Sequence, residues 1–209
     1  QFGVTVIFAY YYTEQLHYEM QMLIPFTGGI ATGRYISLPI GLFLPFLFFV
    51  MVGTVNGTNF TDGLDGLASS VTLLVAVFFT VVAIGTGSTA APVCAAVAGA
   101  LMGFLVFNVY PASVFMGDTG SLALGGFVAS TALLLKMPLY ILIVGAIYLI
   151  EVLSVILQVG YFKITHGKRI FKMAPIHHHF EQSGWSETKV VAVFSIVTAL
   201  FCLIALAAL

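Results

Sequence analysis

Charged residues are scarce in this chain of 209 residues: Asp, Glu, Lys and Arg together make up 7% of it. Only seven residues are Lys or Arg and the net charge is −1, which excludes the basic face that binding to nucleic acid requires. The two cysteines, Cys94 and Cys202, are too few for a disulfide framework, and both lie within apolar sequence, where we expect them to pack. These absences exclude a nucleic-acid-binding domain and a disulfide-rich domain.

Hydrophobic residues make up 60% of the chain, and the mean hydropathy is +1.10. They fall in runs that approach the roughly 20 helical residues needed to cross a bilayer. Backbone groups in lipid must be satisfied within each segment, and no alternating pattern of a barrel repeats along the chain. The sequence therefore predicts an all-α, polytopic membrane helical bundle with about seven spans. These are residues 1–12, 38–55, 67–84, 92–110, 121–135, 138–161 and 190–209.

The first of these segments is short for a span, and the sequence starts at Gln1 without a methionine or a charged region. It is therefore not a signal peptide, and we expect a further N-terminal segment to precede it. The polar stretch 13–37 alternates apolar and polar residues before Pro-Phe-Thr-Gly-Gly, which predicts a short hairpin or an interfacial segment. Gly99 and Gly103 have a spacing that permits close helix packing, which is compatible with a homodimer.

The basic residues predict the orientation of the chain in the membrane. Five of the seven lie between the sixth and seventh segments. They are Lys163, Lys168, Arg169, Lys172 and Lys189. The positive-inside rule makes the loop 162–189 cytoplasmic, and counting back through the spans gives the same side to 56–66 and 111–120. These three loops hold all three aspartates, Asp62, Asp65 and Asp118, and four of the five histidines. Acids at membrane edges are costly, so three on one face indicate a functional site there.

The first polar cluster contains Asn56, Asn59, Asp62 and Asp65 at intervals of three residues. If this stretch is helical or nearly so, the four side chains form one polar stripe, which could hold a sugar, a nucleoside or a metal-bound phosphate. Taken alone, Asp62 is better explained as a turn residue or a helix cap than as a functional acid, and only the three acids together favour a functional site. The cluster is not an EF-hand loop, because the acid spacing and the distal glutamate of that loop are absent.

The second cluster places Asp118 between Gly117 and Gly120, shortly after Asn108 and Phe115. The glycines allow a ligand to approach the backbone closely, and the amides that open the following helix favour phosphate. Asp118 is predicted to bind Mg²⁺, which prefers one or two carboxylates together with phosphate oxygens and water. A simple turn followed by a helix cap explains the same pattern.

The third cluster contains the adjacent histidines His177, His178 and His179 in a basic loop. Three adjacent histidines cannot all reach one ion without distorting the backbone, so a zinc site is not predicted. Beside Lys168, Arg169 and Lys172, they are better suited to binding an anion such as a diphosphate or to handling protons. Glu151 lies within the sixth segment, where it predicts a polar contact between helices or a broken helix near the site.

Three runs, NFTDGLDGLA, NVYPASVFMGDTGSLALGG and MAPIHHHFE, together resemble the signatures of the polyprenyl-phosphate N-acetylhexosamine 1-phosphate transferase family. The histidine run is similar to the muramoyl-pentapeptide branch. The resemblance implies a single transmembrane transferase domain over residues 1–209, in a multi-pass protein of the bacterial plasma membrane with its active site on the cytoplasmic face. About ten spans are usual in the whole family fold, which is often dimeric. It also implies a Mg²⁺-dependent enzyme of peptidoglycan synthesis, whose substrates are UDP-N-acetylmuramoyl-pentapeptide and undecaprenyl phosphate and whose products are lipid I and UMP.

The same resemblance suggests roles for individual residues. Asp118 corresponds to the metal-binding acid, and Asp62, Asp118, His177 and His178 are the candidate catalytic residues. Substrate-binding roles are expected for Asn56, Asn59, Asp65, Asn108, Phe115, Gly117 and His179, with Phe115 stacking on uracil. The family also carries an adjacent Asp-Asp pair with a lysine nearby, which this sequence lacks, as a chain without its N-terminal part would.

Other functions fit parts of the pattern. A related transferase that uses a simpler UDP-N-acetylhexosamine would share the acids but would have a different histidine loop. A polytopic transporter would also cluster polar residues between helices, but near the middle of the bilayer, whereas these aspartates lie at the ends of spans. A membrane subunit without catalysis is the third alternative, and it depends on the missing acid pair.

Overall fold

The computed structural model describes residues 1–15 and 19–209. Its two short strands, β1 (Gln21–Leu23) and β2 (Tyr35–Ser37), pair antiparallel with Met22 opposite Ile36, which confirms the predicted hairpin. The remaining regular structure is helical. The α-helices are α1 (Phe2–Tyr10), α2 (Gly29–Thr32), α3 (Ile40–Thr61), α4 (Leu67–Gly85), α5 (Ala91–Asn108), α6 (Gly117–Leu134), α7 (Ile141–Val144), α8 (Ala146–Ile164), α9 (Ile176–Glu181) and α10 (Glu187–Ala207). The fold is the predicted all-α membrane bundle.

Five helices are long and apolar enough to cross a membrane: α3, α4, α5, α8 and α10. Each overlaps one of the seven predicted spans. The first predicted span is only the nine-residue α1 followed by a π-helical turn, so its length falls short. The fifth is α6, which has 18 residues but begins with Gly-Asp-Thr-Gly-Ser, and these polar residues lower its hydropathy. Within the part of the chain that the structure describes, five of the roughly seven predicted spans therefore have the length and hydropathy needed to cross a membrane.

Two predicted boundaries also differ from the structure. Helix α3 continues to Thr61, so the residues from Asn56 onward that were predicted to begin a loop are helical. The sixth predicted span is divided, because a 3₁₀ turn (Pro138–Tyr140) and α7 precede α8, and Gly145 separates the two helices. Sequence hydropathy is continuous across this break, since Gly145 has no polar side chain to mark it.

The bundle has two cores. The larger one surrounds α4, which packs along α5 and α10 and is the most enclosed of the candidate spans. Its largest buried side chains include Phe78, Phe79 and Tyr148. The smaller core is formed by α1, α3 and α6 around Tyr12, Phe43 and Leu133. Helix α3 connects the two cores, because it packs along both α6 and α8.

The two ends of the bundle differ in what they carry. At one end the Leu23 amide donates to the Lys136 carbonyl, and the Phe26 amide donates to the Ala208 carbonyl. The hairpin, the end of α6 and the end of the chain therefore meet at this end. The three polar clusters lie at the opposite end, where α3 ends and where α6 and α10 begin. The bundle thus separates a hairpin end from a polar end.

Helices α3 and α6 approach closely at Gly125. A Cβ atom added to Gly125 would lie 2.5 Å from the Val55 Cα and 3.0 Å from the Thr54 carbonyl oxygen, so only glycine fits against this backbone. The next residue, Gly126, has open space around the same position. The close packing at Gly125 holds the end of α3 beside the start of α6.

We expect Gly125→Ala to destabilise the protein by about 1–3 kcal/mol, because the added methyl group forces the two helix backbones apart. Gly126→Ala is the matched control and should leave stability unchanged or slightly raised, because alanine favours a helix. Thermal unfolding of both variants in detergent measures the difference. Equal melting temperatures for the two variants would show that α3 and α6 do not pack at this distance.

Candidate functional site

The polar end is built around the turn that joins α3 to α4, residues Asp62–Gly66, which we call the acidic turn. Asn59 lies in the last helical turn of α3, and Asp62 caps its end, with the Asp62 amide donating to the Asn59 carbonyl at 3.1 Å. The predicted spacing of three residues therefore places both side chains at the same end of α3. The backbone reverses at Gly66, whose φ is 77°, and α4 begins.

Asp118 lies in the first turn of α6 and is held by the neighbouring helix. The Asn59 side-chain amide donates to Asp118 Oδ1 at 2.9 Å and to Ser121 Oγ at 3.0 Å. Ser121 Oγ in turn donates to the Gly117 carbonyl at 3.1 Å. One amide from α3 therefore fixes the orientation of an exposed carboxylate on α6.

Asp62 has an unusual electrostatic environment. Partial burial and, as the smaller cause, the negative charge of Asp118 together raise the pKa of its carboxyl from 3.8 to about 6. The two acids are therefore close enough to interact, although they are 56 positions apart in the sequence (118 minus 62). The raised pKa means that Asp62 holds its proton more tightly than a free carboxyl does, and a bound cation would displace that proton.

A cavity of about 210 Å³ opens between the acidic turn and the start of α6. Its lining residues are Asp62, Gly63, Leu64, Asp65, Asn108, Phe115, Met116 and Gly117. Phe115 is 72% exposed and presents an aromatic face at the cavity wall. Gly117 opens α6 with a φ of 62°, a conformation that favours glycine. The cavity therefore combines carboxylates with one accessible ring.

Asn108 shapes the wall of this cavity with a buried side chain. Its Oδ1 accepts a hydrogen bond from Ser69 Oγ at 2.7 Å, and its Nδ2 donates to the Val114 carbonyl at 3.0 Å. The first contact joins α5 to α4, and the second holds the loop before α6. Both polar groups of Asn108 are thus used within the protein, and the loop that carries Phe115 depends on them.

Asp65 has a similar supporting arrangement. Its Oδ2 accepts from the Ala112 amide at 2.8 Å, and its own amide donates to Glu187 Oε1 at 2.7 Å. The acidic turn is therefore held on one side by the loop before α6 and on the other by the first turn of α10. Glu187 and Ser121 were not among the predicted site residues, and both lie far from their partners in sequence. A local signal does exist for Glu187, since it follows Ser186, whose side chain caps α10.

The three histidines point to different partners. His177 is fully buried in α9, and its Nδ1 lies 3.1 Å from Glu151 Oε1 on α8, which confirms the predicted polar contact of Glu151. His178 Nδ1 lies 2.7 Å from Glu181 Oε2, and its ring centroid is 4.1 Å from that of His177. His179 Nδ1 accepts from the Lys172 amide at 3.1 Å and so holds the basic loop.

The structure brings most of the predicted residues together, but not all of them. Asn59, Asp62, Asp65, Asn108, Phe115, Gly117 and Asp118 surround one cavity or touch its lining residues. His177 reaches the cavity wall only through Gly63, which it contacts. Asn56 does not line this cavity: its side chain exchanges hydrogen bonds with Gln1 and donates to the Val52 carbonyl. Within residues 1–15 and 19–209, no three His, Cys, Asp or Glu side chains are grouped closely enough to bind a metal by themselves.

Comparison with known proteins identifies similar sequences. The model of glycosyl transferase family 4 matches residues 1–136. Three curated relatives are named phospho-N-acetylmuramoyl-pentapeptide-transferase. The one from Clostridium perfringens (strain 13 / Type A) is 59% identical over 188 residues, 89% of this chain and 57% of the relative. The one from Clostridium novyi (strain NT) is 63% identical over 79% of this chain and 51% of the relative. The one from Clostridium kluyveri (strain ATCC 8527) is 52% identical over 97% of this chain and 62% of the relative. The chain thus spans about half to six tenths of their length.

The raised pKa of Asp62 predicts a pH-dependent stability. Because the folded state binds the proton more tightly than the unfolded state, the stabilisation is fully present below about pH 4 and is lost as the pH rises through about 6. Asn cannot ionise, so Asp62→Asn should lose less stability over this range than the unmodified protein. Thermal unfolding in detergent between pH 4 and pH 7.5, with divalent cations removed, measures the effect.

Asp118→Asn provides the control for the charge contribution. Removal of this neighbouring charge should lower the pKa of Asp62 and move the loss of stability to lower pH, without abolishing it, because burial remains the larger cause. If the unmodified protein and Asp62→Asn lost the same stability between pH 4 and pH 7.5, the proton on Asp62 would not contribute to stability. That result would contradict the burial of Asp62 and its raised pKa.

Proposed function

The chain belongs to glycosyl transferase family 4, and on that basis we propose that it takes part in the transfer of phospho-N-acetylmuramoyl-pentapeptide from its UDP-linked donor to undecaprenyl phosphate. The products are lipid I and UMP, in peptidoglycan synthesis. The names of the curated relatives support this assignment. The observation that carries it is the pair formed by Asp62 and Asp118 beside a cavity with an exposed aromatic ring. A nucleotide diphosphate needs such a combination of cation-binding acids and a stacking surface.

The donor set fits Mg²⁺. This ion keeps several waters and binds through one or two carboxylates plus substrate phosphates, so two adjacent acids suffice. The mutual repulsion of Asp62 and Asp118, which contributes to the raised pKa of Asp62, is the kind of charge that a divalent cation offsets. Asp118 and Asp62 would hold the ion. When bound, Mg²⁺ would neutralise charge on the diphosphate oxygens and on departing UMP.

The residues of the chain contribute mainly by positioning. Asn59 holds the Asp118 carboxylate through its hydrogen bond to Oδ1, so this acid does not need to reorient when substrate binds. Phe115 offers its exposed ring to the uracil base, and Asn108 holds the loop that carries this ring. Glu187 holds the acidic turn through the Asp65 amide. Such preorganisation supplies much of the rate enhancement in phosphoryl transfer.

The carrier phosphate is itself an anion and attacks the β-phosphorus of the donor directly. A two-step route through an aspartyl intermediate is less suitable, because an acid that holds a cation is a poor nucleophile. A second cavity, of about 180 Å³, supports the approach of a lipid carrier: it lies between α3 and α8 and has an almost wholly apolar lining that includes Phe49, Ile141 and Leu149. Such a surface suits a polyprenyl chain within the bilayer.

We expect Asp118→Asn to lower UMP release by about 10²–10³-fold, because the amide retains the shape of the side chain but not the charge that binds the cation. The assay uses the purified membrane protein with donor, polyprenyl phosphate and Mg²⁺. Glu19→Gln is the control, since Glu19 pairs with Lys136 at the hairpin end, far from the cavity. Activity of Asp118→Asn within threefold of the unmodified protein would rule out the proposed role of this acid.

The cavity end faces the cytoplasm of a bacterial plasma membrane in this proposal, because the basic loop between α8 and α10 lies at the same end. Both native cysteines are buried, so an introduced cysteine can be labelled selectively. In intact spheroplasts, a membrane-impermeant maleimide should label Thr89→Cys, in the turn between α4 and α5, at once. Lys168→Cys should react only after the membrane is permeabilised. The reverse order of labelling would invert the proposed topology.

A further inference from the structure

Glu151 is a buried acid whose role goes beyond the site described above. It lies in α8 with 0% of its surface exposed, and it contacts His177 of α9, whose side chain is 1% exposed. The Nδ1 to Oε1 distance of 3.1 Å corresponds to a hydrogen bond. An acid within a membrane-spanning helix is costly to bury, so this contact requires a reason.

The other face of the His177 ring meets the acidic turn. A Cβ atom added to Gly63 would overlap with His177 Nε2 and lie 2.7 Å from Cε1, so the ring lies directly against the glycine backbone. Gly63 is part of the cavity wall, between Asp62 and Asp65. The ring therefore lies behind the wall, with Nδ1 toward α8 and Nε2 toward the turn.

Two atoms of this arrangement have no partner. Among the described residues, Glu151 Oε2 and His177 Nε2 are buried and make no hydrogen bond. Buried polar atoms without partners are rare in folded proteins, and each one needs an explanation. For His177 Nε2 the explanation is geometric: the ring fills the space behind Gly63, and Nε2 faces the backbone of that glycine.

We propose that Glu151 is a positioning residue that acts through His177. Its carboxylate accepts the Nδ1 proton and fixes the ring of His177 against Gly63, so that α8 supports the acidic turn from behind. Resting on the proposed function, this arrangement holds Asp62 and Asp65 at the cavity in the geometry that binds the nucleotide diphosphate. His177 then serves the site as a buried support for the turn, without contacting substrate.

The contacts of the acidic turn favour a role for Glu151 in positioning His177 over a role confined to stabilising the bundle. The Asp65 amide and carboxylate are held by Glu187 and by the Ala112 amide. Gly63 has neither contact, and its packing against the His177 ring is the support at that end of the turn. Loss of the ring's orientation should therefore loosen the first half of the acidic turn, while the second half stays held.

Hydrogen exchange of the turn amides tests the inference without depending on activity. Glu151→Leu removes the acceptor, and we expect exchange at Gly63 and Leu64 to rise about tenfold. Glu151→Gln keeps an oxygen acceptor for the Nδ1 proton and should stay within about threefold of the unmodified protein. Ser154→Ala is the matched control, because it removes a buried hydrogen bond to the Glu151 backbone carbonyl and leaves the Glu151 side chain and His177 unchanged.

A second variant tests the same contact from its other side, in case Glu151→Leu does not fold. Gly63→Ala pushes the ring away from the turn and should also raise exchange at Leu64, whereas Gly103→Ala, which has open space around it, should not. Binding of the UDP-linked donor is then measured for every variant. We expect Glu151→Leu and His177→Leu each to weaken donor binding about tenfold. In the double variant the two effects should not multiply, because both substitutions remove the same contact.

The outcomes separate the two proposals. Unchanged exchange in both Glu151→Leu and Gly63→Ala, or effects of Glu151 and His177 that multiply, would overturn the support of the turn by Glu151. Faster exchange with unchanged donor affinity would leave that support in place and would instead contradict the proposed location of the nucleotide site. Faster exchange with weaker donor binding, rescued by Glu151→Gln, is the expected result.

Discussion

The hydrogen bond from Asn59 to Asp118 joins the end of α3 to the start of α6, and the rest of the polar end depends on this junction. It brings Asp118 of α6 close enough to Asp62 of the acidic turn for the charge of Asp118 to contribute to the raised pKa of Asp62. The junction is possible because α3 and α6 pack tightly along their length at Gly125. Close helix packing in the apolar part of the bundle therefore determines the spacing of the acids at its end.

The acidic turn is held by residues from four other parts of the chain. Asn59 precedes it, Ala112 lies in the loop before α6, Glu187 opens α10, and His177 lies in α9 behind Gly63. A short turn between two membrane helices has few contacts of its own, so its shape is set by these neighbours. Ala112 belongs to the loop that carries the exposed ring of Phe115, and His177 belongs to the segment between α8 and α10 that carries the basic residues. The contacts that support the acidic turn therefore also shape the cavity.

Several parts of the site could be predicted because they depend on local spacing. The interval of three residues between Asn59 and Asp62 predicts a shared helix face, and the structure has that helix. Asn56 belongs to the same series of residues at intervals of three, but in the structure its side chain contacts Gln1 and does not line the cavity. A stripe of helical residues continues around the helix and along its axis, so its members need not reach one cavity. The roles of Glu187 and Ser121 could not be predicted, since their partners are distant in sequence.

The order of residues alone establishes that the chain is a helical membrane protein with a short hairpin, because hydropathy and turn composition are sums over neighbouring residues. It also determined which polar residues were available at the ends of the helices. Which of these residues meet depends on how the helices pack. The pairs Asn59 with Asp118 and Asp65 with Glu187 are 59 and 122 positions apart, and Glu151 with His177 is 26 apart. Such pairs form because helix packing brings their backbones together, and no local pattern of residues encodes that approach.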